Sequence, residues 1–288
     1  MNHEFEASPP LISICIPTYN GADTIAMTIE SVVNQTFGNY EIIISDDCST
    51  DNTLVIVESF QDNRIRILEQ VPRTTVAANW NRCIDHASGT YIKMMGQDDI
   101  LFSNCLQAEI SVFNSYPDKQ ISFCFSQRSI ISRSNQLLIS SRGLTLDSPI
   151  VQLRQILPKV IRSGSNPFGE PVTVLMNHKT LTAAGKFNGD YVIDLDMWLR
   201  LLSIAPAVST QQTLMAFRVG GGSWSHDLLS TQARDTIELH NRIRHEFPNH
   251  ISLFDLMIGR LMARLMQIMR PLAIKVLRKR PIPQLGKL

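Results

Sequence analysis

The 288-residue sequence has no long apolar run and only five cysteines. No stretch approaches the roughly 18 consecutive apolar residues of a membrane-spanning helix. Residues 1–10 contain two glutamates and lack the apolar core of a signal peptide. The cysteines show no CxxC or Cys/His spacing of a zinc site, and their odd number is typical of reduced thiols in the cytosol. These absences predict a cytoplasmic protein that is soluble or peripheral to a membrane.

The sequence also lacks the two glycine-rich motifs that commonly hold nucleotide phosphates. No GxGxxG follows the first predicted strand, and no GxxxxGK[ST] occurs anywhere. Both motifs work by bringing backbone N–H groups against phosphate oxygens. Their absence argues against a dinucleotide-dependent dehydrogenase and against a P-loop NTPase.

Acidic residues are missing from the C-terminal segment. Residues 256–288 contain eight Lys/Arg and no Asp/Glu, whereas residues 1–255 contain nineteen Lys/Arg and twenty-six Asp/Glu, a net charge of about −7. The overall net charge of +1 hides this asymmetry. A basic tail on an acidic body indicates that the tail meets an anionic surface or partner.

What the sequence does contain is an alternation of strand and helix signals. Short apolar runs alternate with segments of helical spacing through the first hundred residues, which predicts a mainly parallel sheet with helices on both faces. The predicted strands are 11–16, 41–45, 64–68 and 91–95, and the predicted helices are 23–33, 52–60 and 76–87. Further along we predict helices at 104–115, 151–160, 194–203 and 228–247, a hairpin of 120–134 with 136–141, and strands at 171–176 and 213–219.

Polar segments follow three of the predicted strands. They are 17–20 (Pro-Thr-Tyr-Asn), Asp46-Asp47 and Asp98-Asp99. Because the carboxyl ends of parallel strands meet at one edge of a sheet, we expect these segments to be neighbours. Two adjacent carboxylates repel unless a cation or hydrogen-bond donors offset their charge, and Mg²⁺ or Mn²⁺ prefers such oxygen ligands. For each Asp pair taken alone, a solvated turn is the alternative interpretation.

These segments, with others in the same order, resemble family 2 glycosyltransferases. The matching segments are 17–20, 31–36 (SVVNQT), 46–53 (DDCSTDNT), 79–81 (NWN), 87–92 (ASGTYI), 97–99 (QDD), 185–187 (GKF) and 194–200 (DLDMWLR). The resemblance covers roughly residues 10–225. It implies an α/β protein with the GT-A fold, a Rossmann-like sheet, and an inverting transfer of sugar from a nucleotide-diphosphate sugar, usually a UDP-sugar, with Mn²⁺ or Mg²⁺ as cofactor.

The resemblance also implies roles for the donor-side residues. Pro17 and Tyr19 would border the nucleotide base. Asp47 would accept a hydrogen bond from the base edge, and Asp46 would support the same loop.

The segment Gln97-Asp98-Asp99 is similar to the family's DxD motif. Asp99 would then be the metal ligand and Asp98 a contact to the ribose or to a metal-bound water. Gln97 stands where many members have Asp, which makes that ligand position neutral and the use of a metal less certain.

Asp194 matches the family's catalytic base, which removes the proton of the attacking acceptor hydroxyl. The family usually has Glu-Asp at this point, whereas this chain has Ile193-Asp194. Asp196 is a rival base. We favour the alternative that Asp196 is an exposed residue in the first turn of a helix, where negative charge is favourable. We expect Trp198 to lie in the core.

A basic or His-containing loop near residue 220 is the remaining part of the expected site. Arg218, Ser223 and His226 are candidates for binding the diphosphate leaving group, and Gly220-Gly221-Gly222 is suited to a mobile lid. A structural or solvated histidine is an equal alternative for His226. Arg73 has a similar claim.

The C-terminal segment 251–280 has the spacing of a basic amphipathic helix that Pro271 kinks or ends. We expect Phe254, Met257, Ile258, Leu261, Met262, Leu265 and Ile268 to share one face, with Arg260, Arg264 and Gln267 on another. Such a helix suits an anionic membrane surface. The alternatives are packing on the catalytic domain or on a second subunit in a homodimer.

The sequence therefore predicts a catalytic domain at 1–225, with a nucleotide-binding half at 10–99 and an acceptor-binding half at 100–225. C-terminal helices follow at 226–288. The predicted acceptor is a lipid-linked or other surface-glycan precursor on the inner face of the membrane. A nucleotide-sugar-binding pseudoenzyme or assembly module is the alternative function, favoured by Gln97 and Ile193.

Overall fold

The computed structural model describes residues 9–189, 192–220 and 231–277, with side chains as far as residue 272. The strands are β1 (Ile12–Thr18), β2 (Tyr40–Asp46), β3 (Ile65–Ile67), β4 (Tyr91–Met94), β5 (Ile100–Leu101), β6 (Phe123–Ser132), β7 (Leu137–Arg142), β8 (Ile150–Val151), β9 (Val174–Asn177) and β10 (Ala207–Val219). The helices are α1 (Ile25–Val33), α2 (Thr53–Glu58), α3 (Val76–Asp85), α4 (Cys105–Asn114), α5 (Leu153–Ser163), α6 (His178–Ala184), α7 (Ile193–Ile204), α8 (Gln232–Glu246) and α9 (Leu253–Leu277).

Within these residues the strands form one ten-stranded sheet of order β3-β2-β1-β4-β9-β6-β10-β5, with β7 beside β6 and β8 beside β10. β1 pairs in parallel with β2 and β4, and β6 pairs in parallel with β10. β9 is antiparallel to both of its neighbours, β4 and β6. The carboxyl ends of β1, β2, β4, β6 and β10 therefore share one edge, and β9 begins there. The predicted mainly parallel α/β sheet is confirmed.

The two faces of the sheet are covered by different helices. Along β1, Ile14 and Ile16 pack on the face that carries α1 and α4, whereas Cys15 between them belongs to the core on the other face. Helical spacing places Ile25 and Ile29 of α1 on that first face, where both are fully buried. This alternation in the strands, with period-3.6 spacing in the helices, is what a sheet buried on both faces requires.

The second face holds an aromatic core beneath α5 and α7. Trp198 is fully buried, with ring centroids 5.7 Å from Phe123 and 6.3 Å from Phe187. Its predicted place in the core is confirmed. The Trp198 indole N–H donates to the carbonyl of Gly169 at 3.4 Å, which ties α7 to the loop before β9.

The predicted hairpin is confirmed as β6 and β7, but several other boundaries were wrong. The segment predicted as a strand at 171–176 begins as a 3₁₀ turn, Pro171–Thr173, because proline favours the first position of such a turn and supplies no ladder donor. β5, β8 and α6 were missed. β5 and β8 are only two residues long, and α6 follows β9 without a loop. None of the three shows a hydrophobic period of its own.

Helix α9 packs on α5 and α8 through small residues. A Cβ at Gly259 would lie 2.5 Å from the carbonyl oxygen of Ile161, so the α5 and α9 backbones touch where glycine alone fits. Ala263 is buried one turn further on. Asp255 accepts from the N–H and hydroxyl of Ser252 and is paired with Arg162 of α5. One predicted alternative, packing on the catalytic domain, is therefore observed for the inner face.

The helix differs from the prediction in two respects. Of the two predicted effects of Pro271, ending the helix is wrong, because α9 continues through Pro271 to Leu277, and a kink stays a prediction. Proline removes one backbone hydrogen bond from a helix, and its neighbours Ile268 and Leu272 are exposed. The predicted single apolar face is also divided, since Ile258 and Met262 turn inward while exposed Arg260 and Arg264 lie among the outer apolar residues.

The outer face of α9 carries eight large apolar side chains that are 43–72% exposed: Leu253, Phe254, Met257, Leu261, Leu265, Ile268, Met269 and Leu272. In the part of the chain described, no helix has the length and hydropathy of a membrane span. Scattered exposed apolar residues are ordinary, but this many on one helix mark an interaction surface.

Candidate active site

The loops after β1 and β4 are joined by a pair of hydrogen bonds. The backbone N–H of Tyr19 donates to Gln97 Oε1, and Gln97 Nε2 donates to the carbonyl of Tyr19, both at 2.9 Å. A Cβ at Gly21 would collide with the Gln97 side chain. Aspartate at position 97 could accept from Tyr19 but could not donate back. Gln97 thus braces Tyr19, and its amide is not presented as a metal ligand.

Asp46 is enclosed by donors. Its carboxylate accepts from the Thr18 hydroxyl at 2.8 Å, from the Ser49 N–H and hydroxyl at 2.8 and 2.5 Å, and from Gln70 Nε2 at 3.2 Å. The residue is 1% exposed. A carboxylate this well satisfied holds the end of β2 and the loop after it in shape.

Asp47 faces a different set of groups. Its Oδ1 accepts from the Thr74 N–H at 2.7 Å and from the Thr74 hydroxyl at 3.1 Å. Its Oδ2 lies 3.9 Å from Arg73 Nε, and the Arg73 guanidinium sits 4.1 Å from the centre of the Tyr19 ring. Asp47, Arg73 and Tyr19 therefore form one cluster, and Pro17 stands two residues before Tyr19, near the end of β1. Arg73 thus lies with the residues predicted to border the base.

Asp98 and Asp99 fold over Gly96. A Cβ there would lie 2.9 Å from Asp98 Oδ1 and 3.0 Å from Asp99 Oδ2, so the glycine leaves room for both carboxylates. Asp99 is 2% exposed, and its Oδ2 accepts from the Gly96 N–H at 3.0 Å. Burial, and then the neighbouring Asp98, raise the pKa of Asp99 well above its ordinary value. Burial also raises the pKa of Asp98, which Arg218 opposes.

The donor set around Asp99 fits a divalent cation. Asp99 Oδ1 is buried without a hydrogen-bond partner, which is costly for a carboxylate. A cation would remove that cost together with the repulsion from Asp98. Among the described residues there is no group of three or more His, Cys, Asp or Glu that could hold a metal. A cation here would complete its shell with substrate phosphates and water, as Mg²⁺ commonly does.

Arg218, near the end of β10, is 3% exposed. Its Nε donates to the carbonyl of Asp98 at 2.9 Å, and its Nη1 donates to the carbonyl of Ser132 at 3.1 Å and to Asn135. Burial lowers its pKa. Nη2 is buried without a hydrogen-bond partner. Arg218 therefore connects the Asp98 loop to the β6–β7 turn, with one donor left near the carboxylates.

Asp194 is the second residue of α7, and Val192 stands just before the helix. Val192 has φ of +54°, in the left-handed region that β-branched residues avoid. Such strained residues cluster at functional sites. Asp194 Oδ1 accepts from the Leu195 N–H at 2.7 Å, and Oδ2 accepts from Asn166 Nδ2 at 2.8 Å. Burial raises the pKa of Asp194 to about 6.

Glu170 links the two carboxylate centres electrostatically. It lies just before the 3₁₀ turn and pairs with Arg128 of β6, with Oε2 2.7 Å from Arg128 Nε. Burial has the largest single effect and raises the pKa of Glu170, but Arg128, a backbone hydrogen bond and Arg142 together hold it below its ordinary value. The negative charge of Glu170 raises the pKa of both Asp99 and Asp194. Both carboxylates are therefore within reach of one charge at this edge of the sheet.

Asp196 is not the exposed residue that we predicted, because it is 7% exposed and paired with two arginines. Arg200 Nε donates to its Oδ2 at 3.0 Å, and Arg242 of α8 donates to its Oδ1. Sequence spacing could not reveal Arg242, which is 46 residues away. Asp196 joins α7 to α8, and both of its oxygens are engaged in that contact. Ile193 is 3% exposed and belongs to the core.

Ser223 and His226 lie outside the described residues, and their predicted roles stay predictions. Asn166, Glu170 and Arg128 were missed. The only sequence signal was the loop-forming segment 165–171, Ser-Asn-Pro-Phe-Gly-Glu-Pro, in which polar residues sit beside prolines just before a strand. That pattern marks a loop and does not reveal which side chains reach Asp194.

The sheet order is that of the GT-A fold, with the carboxylates gathered at its carboxyl edge. The model of glycosyl transferase family 2 matches residues 13–168, more than half of the chain. This chain therefore belongs to glycosyl transferase family 2, as its motifs predicted.

Among curated relatives, the Escherichia coli enzyme UDP-Glc:alpha-D-GlcNAc-diphosphoundecaprenol beta-1,3-glucosyltransferase WfgD is 36% identical over 125 residues, which cover 43% of this chain and 48% of WfgD. The chain thus spans about half of WfgD. It spans 62% of a second relative, an uncharacterized protein of Mycobacterium tuberculosis, at 29% identity.

Two solved structures share the fold at low sequence identity. S. aureus TarS 1-349 with UDP-GlcNAc has a TM-score of 0.62 at 18% identity, covering 90% of this chain and 72% of that one. The Pyrobaculum calidifontis mannosyltransferase PcManGT, in complex with GDP-Man and Mn²⁺, has a TM-score of 0.60 at 15% identity, covering 94% and 74%.

Proposed function

We propose that this protein is an inverting glycosyltransferase that moves a sugar from a UDP-sugar to a hydroxyl of a lipid-linked or surface-glycan precursor. The observation that carries the proposal is the meeting of two different carboxylate centres at one sheet edge. Asp99 has a buried unpaired oxygen, Asp194 has a pKa near 6, and the charge of Glu170 acts on both. The lipid-linked acceptor is proposed because the name of WfgD specifies a diphosphoundecaprenol-linked substrate.

On the donor side, Tyr19, Pro17 and Asp47 would border the nucleotide base. Asp47 retains Oδ2 with only a distant pairing to Arg73, so that oxygen is able to accept from a base N–H. Asp98 would contact the ribose or a metal-bound water. We assign residues 10–99 to the donor half and 100–225 to the acceptor half.

Asp99 would hold the divalent cation, Mn²⁺ or Mg²⁺, whose role is to stabilise the negative charge that develops on the diphosphate leaving group. The chain's own residues contribute at the same place. The buried Nη2 of Arg218 is a donor without a partner beside Asp98. A preorganised cation in a site of low dielectric stabilises developing charge strongly. His226 is proposed for the same role.

Asp194 would act as general base. With a pKa of about 6 it is largely ionised at neutral pH, yet it is more basic than an ordinary Asp. The proton of the acceptor hydroxyl passes to the carboxylate as the oxygen attacks the sugar carbon opposite the leaving diphosphate, which gives inversion. Activity is expected to rise with pH through about 6, since the base must be deprotonated.

The test is donor turnover with UDP-glucose or UDP-GlcNAc and Mn²⁺, followed as UDP release. Asp194→Asn is expected to lower turnover about 10²- to 10⁴-fold while nucleotide binding, measured by thermal shift, is retained. Asp62→Asn is the control, because Asp62 pairs with Arg64 before β3, away from this edge. Wild-type protein that binds UDP but neither hydrolyses nor transfers any sugar would instead support the pseudoenzyme.

We further propose that the outer face of α9 binds an anionic membrane surface, which would bring the site to a lipid-linked acceptor. Three arginines, Arg260, Arg264 and Arg270, follow Asp255 on this helix without any acid, and Asp255 itself is paired with Arg162. Apolar side chains that enter the lipid boundary and arginines that meet anionic headgroups act together. A homodimer through the same face is the competing outcome.

Co-sedimentation with phosphatidylcholine vesicles, with and without phosphatidylglycerol, tests this contact. Binding is expected only with the anionic lipid, and Leu261→Asp is expected to weaken it about tenfold or more, since burying a leucine stabilises by about 1.5–3 kcal/mol. Val55→Asp on α2 is the matched control, because Val55 is 65% exposed and Leu261 66%. A dimer that Leu261→Asp dissociates, with no vesicle binding, would overturn the membrane assignment.

A further inference from the structure

Asn166 lies in the loop between α5 and β9 and contacts the proposed base directly. Its Nδ2 donates to Asp194 Oδ2 at 2.8 Å and to the carbonyl of Gly169 at 2.6 Å. Asn166 lies 28 positions before Asp194 in the chain. Its role is therefore set by tertiary structure.

The orientation of the Asn166 amide is determined by its other end. Oδ1 accepts from the backbone N–H of Phe168 at 3.1 Å and from that of Gly169 at 3.3 Å. A flipped amide would place its NH₂ against these two N–H groups and its oxygen against the Asp194 carboxylate. Both contacts would be repulsive, so the hydrogen-bond network assigns the NH₂ group to Asp194.

The loop that carries Asn166 is held by the core. Phe168 is fully buried, with its ring 5.2 Å from that of Phe125 and 5.8 Å from that of Phe123. Gly169 has φ of +109°, which disfavours any other residue, and its carbonyl also accepts from Trp198. Asn166 is thus a rigid donor on a rigid loop.

Asp194 consequently has one fixed donor on each oxygen, Asn166 on Oδ2 and the Leu195 N–H on Oδ1. A carboxylate oxygen has two lone pairs, so each retains one for the proton of an acceptor. The charged groups around it are also accounted for. Glu170 acts on Asp194 from the adjoining turn and is itself paired with Arg128, while Asp196 on the same helix is paired with Arg200 and Arg242.

We propose that Asn166 is a positioning residue for this enzyme, holding the Asp194 carboxylate in the orientation from which it takes the acceptor proton. The inference rests on the proposed role of Asp194 as base. It requires that Asn166 act on the base and not on the donor, since none of its contacts reaches Tyr19, Asp47 or Asp99.

Two effects follow when the amide is removed. In Asn166→Ala the carboxylate is free to turn, and kcat for donor turnover is expected to fall up to about 100-fold, as for a misplaced catalytic group, with the donor KM unchanged. The hydrogen bond from Asn166 lowers the pKa of Asp194. Its loss is therefore expected to raise that pKa above about 6, and Asn166→Asp, which adds a second carboxylate, to raise it further.

The experiment titrates the Asp194 carboxyl by NMR in protein labelled with ¹³C-aspartate, with Asp194→Asn identifying the resonance. Asn177→Ala is the matched control. Asn177 Oδ1 accepts from the Thr180 N–H and caps α6, at the opposite end of β9 from Asn166, so its loss lowers stability by about 1 kcal/mol without touching Asp194.

The proposal is supported if the Asp194 pKa rises in both Asn166 variants and stays at its wild-type value in Asn177→Ala. The loss of kcat must also be confined to the Asn166 variants. An unchanged Asp194 pKa, or kcat in Asn166→Ala equal to that in Asn177→Ala, overturns it. The titration requires no donor, so it is separate from failure of the proposed function. That failure is recognised by turnover that survives Asp194→Asn, or by no turnover at all.

Discussion

The loops after β2 and β4 each carry two adjacent aspartates at the same edge of the sheet, yet the structure treats the two pairs differently. Asp46 is surrounded by four donors, and Asp47 has a second set in Thr74. Asp99 is equally buried, but its Oδ1 has no hydrogen-bond partner, and the charge of Asp98 adds to burial in raising its pKa. The first pair shapes the end of β2 and the loop that follows, whereas the second leaves one buried carboxylate oxygen without a donor.

An Asp-Asp pair is therefore informative only when the hydrogen-bond donors around it are known. A buried carboxylate whose oxygens all accept hydrogen bonds serves to stabilise the fold. Where burial and a like charge remain uncompensated, the site is prepared for a cation or a positively charged ligand group. Four predictions test this contrast.

The largest effect is expected for Asp99→Ala, which removes the proposed metal ligand. Donor turnover with Mn²⁺ should fall on the order of 10³-fold or more, because the developing diphosphate charge loses its main stabiliser. UDP release assays measure it. Turnover within tenfold of wild type at saturating Mn²⁺ would break the contrast, since Asp99 would then behave as a structural residue.

Asp46→Ala is expected to lower the free energy of unfolding by about 2–4 kcal/mol, since several buried donors lose their acceptor and each unsatisfied group costs about 1–3 kcal/mol. Urea denaturation measures it. Asp51→Ala serves for comparison, because Asp51 is an exposed residue of the same loop. A stability loss at Asp46 no larger than at Asp51 contradicts the structural role.

Asp47→Ala should weaken nucleotide binding by about tenfold, or about 1.4 kcal/mol, through loss of one hydrogen bond to the base. Isothermal titration calorimetry with UDP measures this. Inorganic diphosphate, which lacks the base, is the control ligand, and its affinity should not change. An equal loss for both ligands would place Asp47 on the phosphate side.

The smallest and most diagnostic effect is expected for Asp99→Asn in metal-free protein. Burial and the neighbouring Asp98 raise the pKa of folded Asp99 above its unfolded value of about 3.9, so ionised Asp99 destabilises the fold at neutral pH. The substitution should therefore raise the free energy of unfolding at pH 7, and the gain should disappear as the pH falls below about 4. Asp46→Asn should lower stability at pH 7. Urea unfolding of both variants at pH 7 and below pH 4 measures this. A stability change of the same sign in Asp99→Asn and Asp46→Asn at pH 7 would contradict the contrast between the two pairs.

Much of the fold could be predicted, because hydrophobic periodicity reports which face of an element is buried. Ile12, Ile14 and Ile16 in β1, and Ile25 and Ile29 in α1, indicate a sheet covered on both faces, as observed. Elements too short to show a period, such as β5, β8 and α6, could not be found this way.

The site was predictable in part, for a related reason. Residues at strand ends can be grouped from topology alone, which brings Tyr19, Asp47 and Asp99 together. The partners of each carboxylate come from distant segments. Asp196 pairs with Arg242, and Asp194 accepts a hydrogen bond from Asn166. No local spacing in the sequence predicts either contact.

The class of protein could be predicted from the amino-acid sequence, because ordered motifs at strand ends and helical or strand periodicity are local properties. Which carboxylates are hydrogen-bonded depends on the folded structure. Asp46 and Asp99 are both preceded by an apolar strand and paired with a second Asp, and the difference between them arises from donors at Thr18, Ser49 and Gln70 on one side and their absence around Asp99 Oδ1 among the residues described. Hydrogen bonding and desolvation depend on contacts across the fold, and those contacts exist only once the chain is folded.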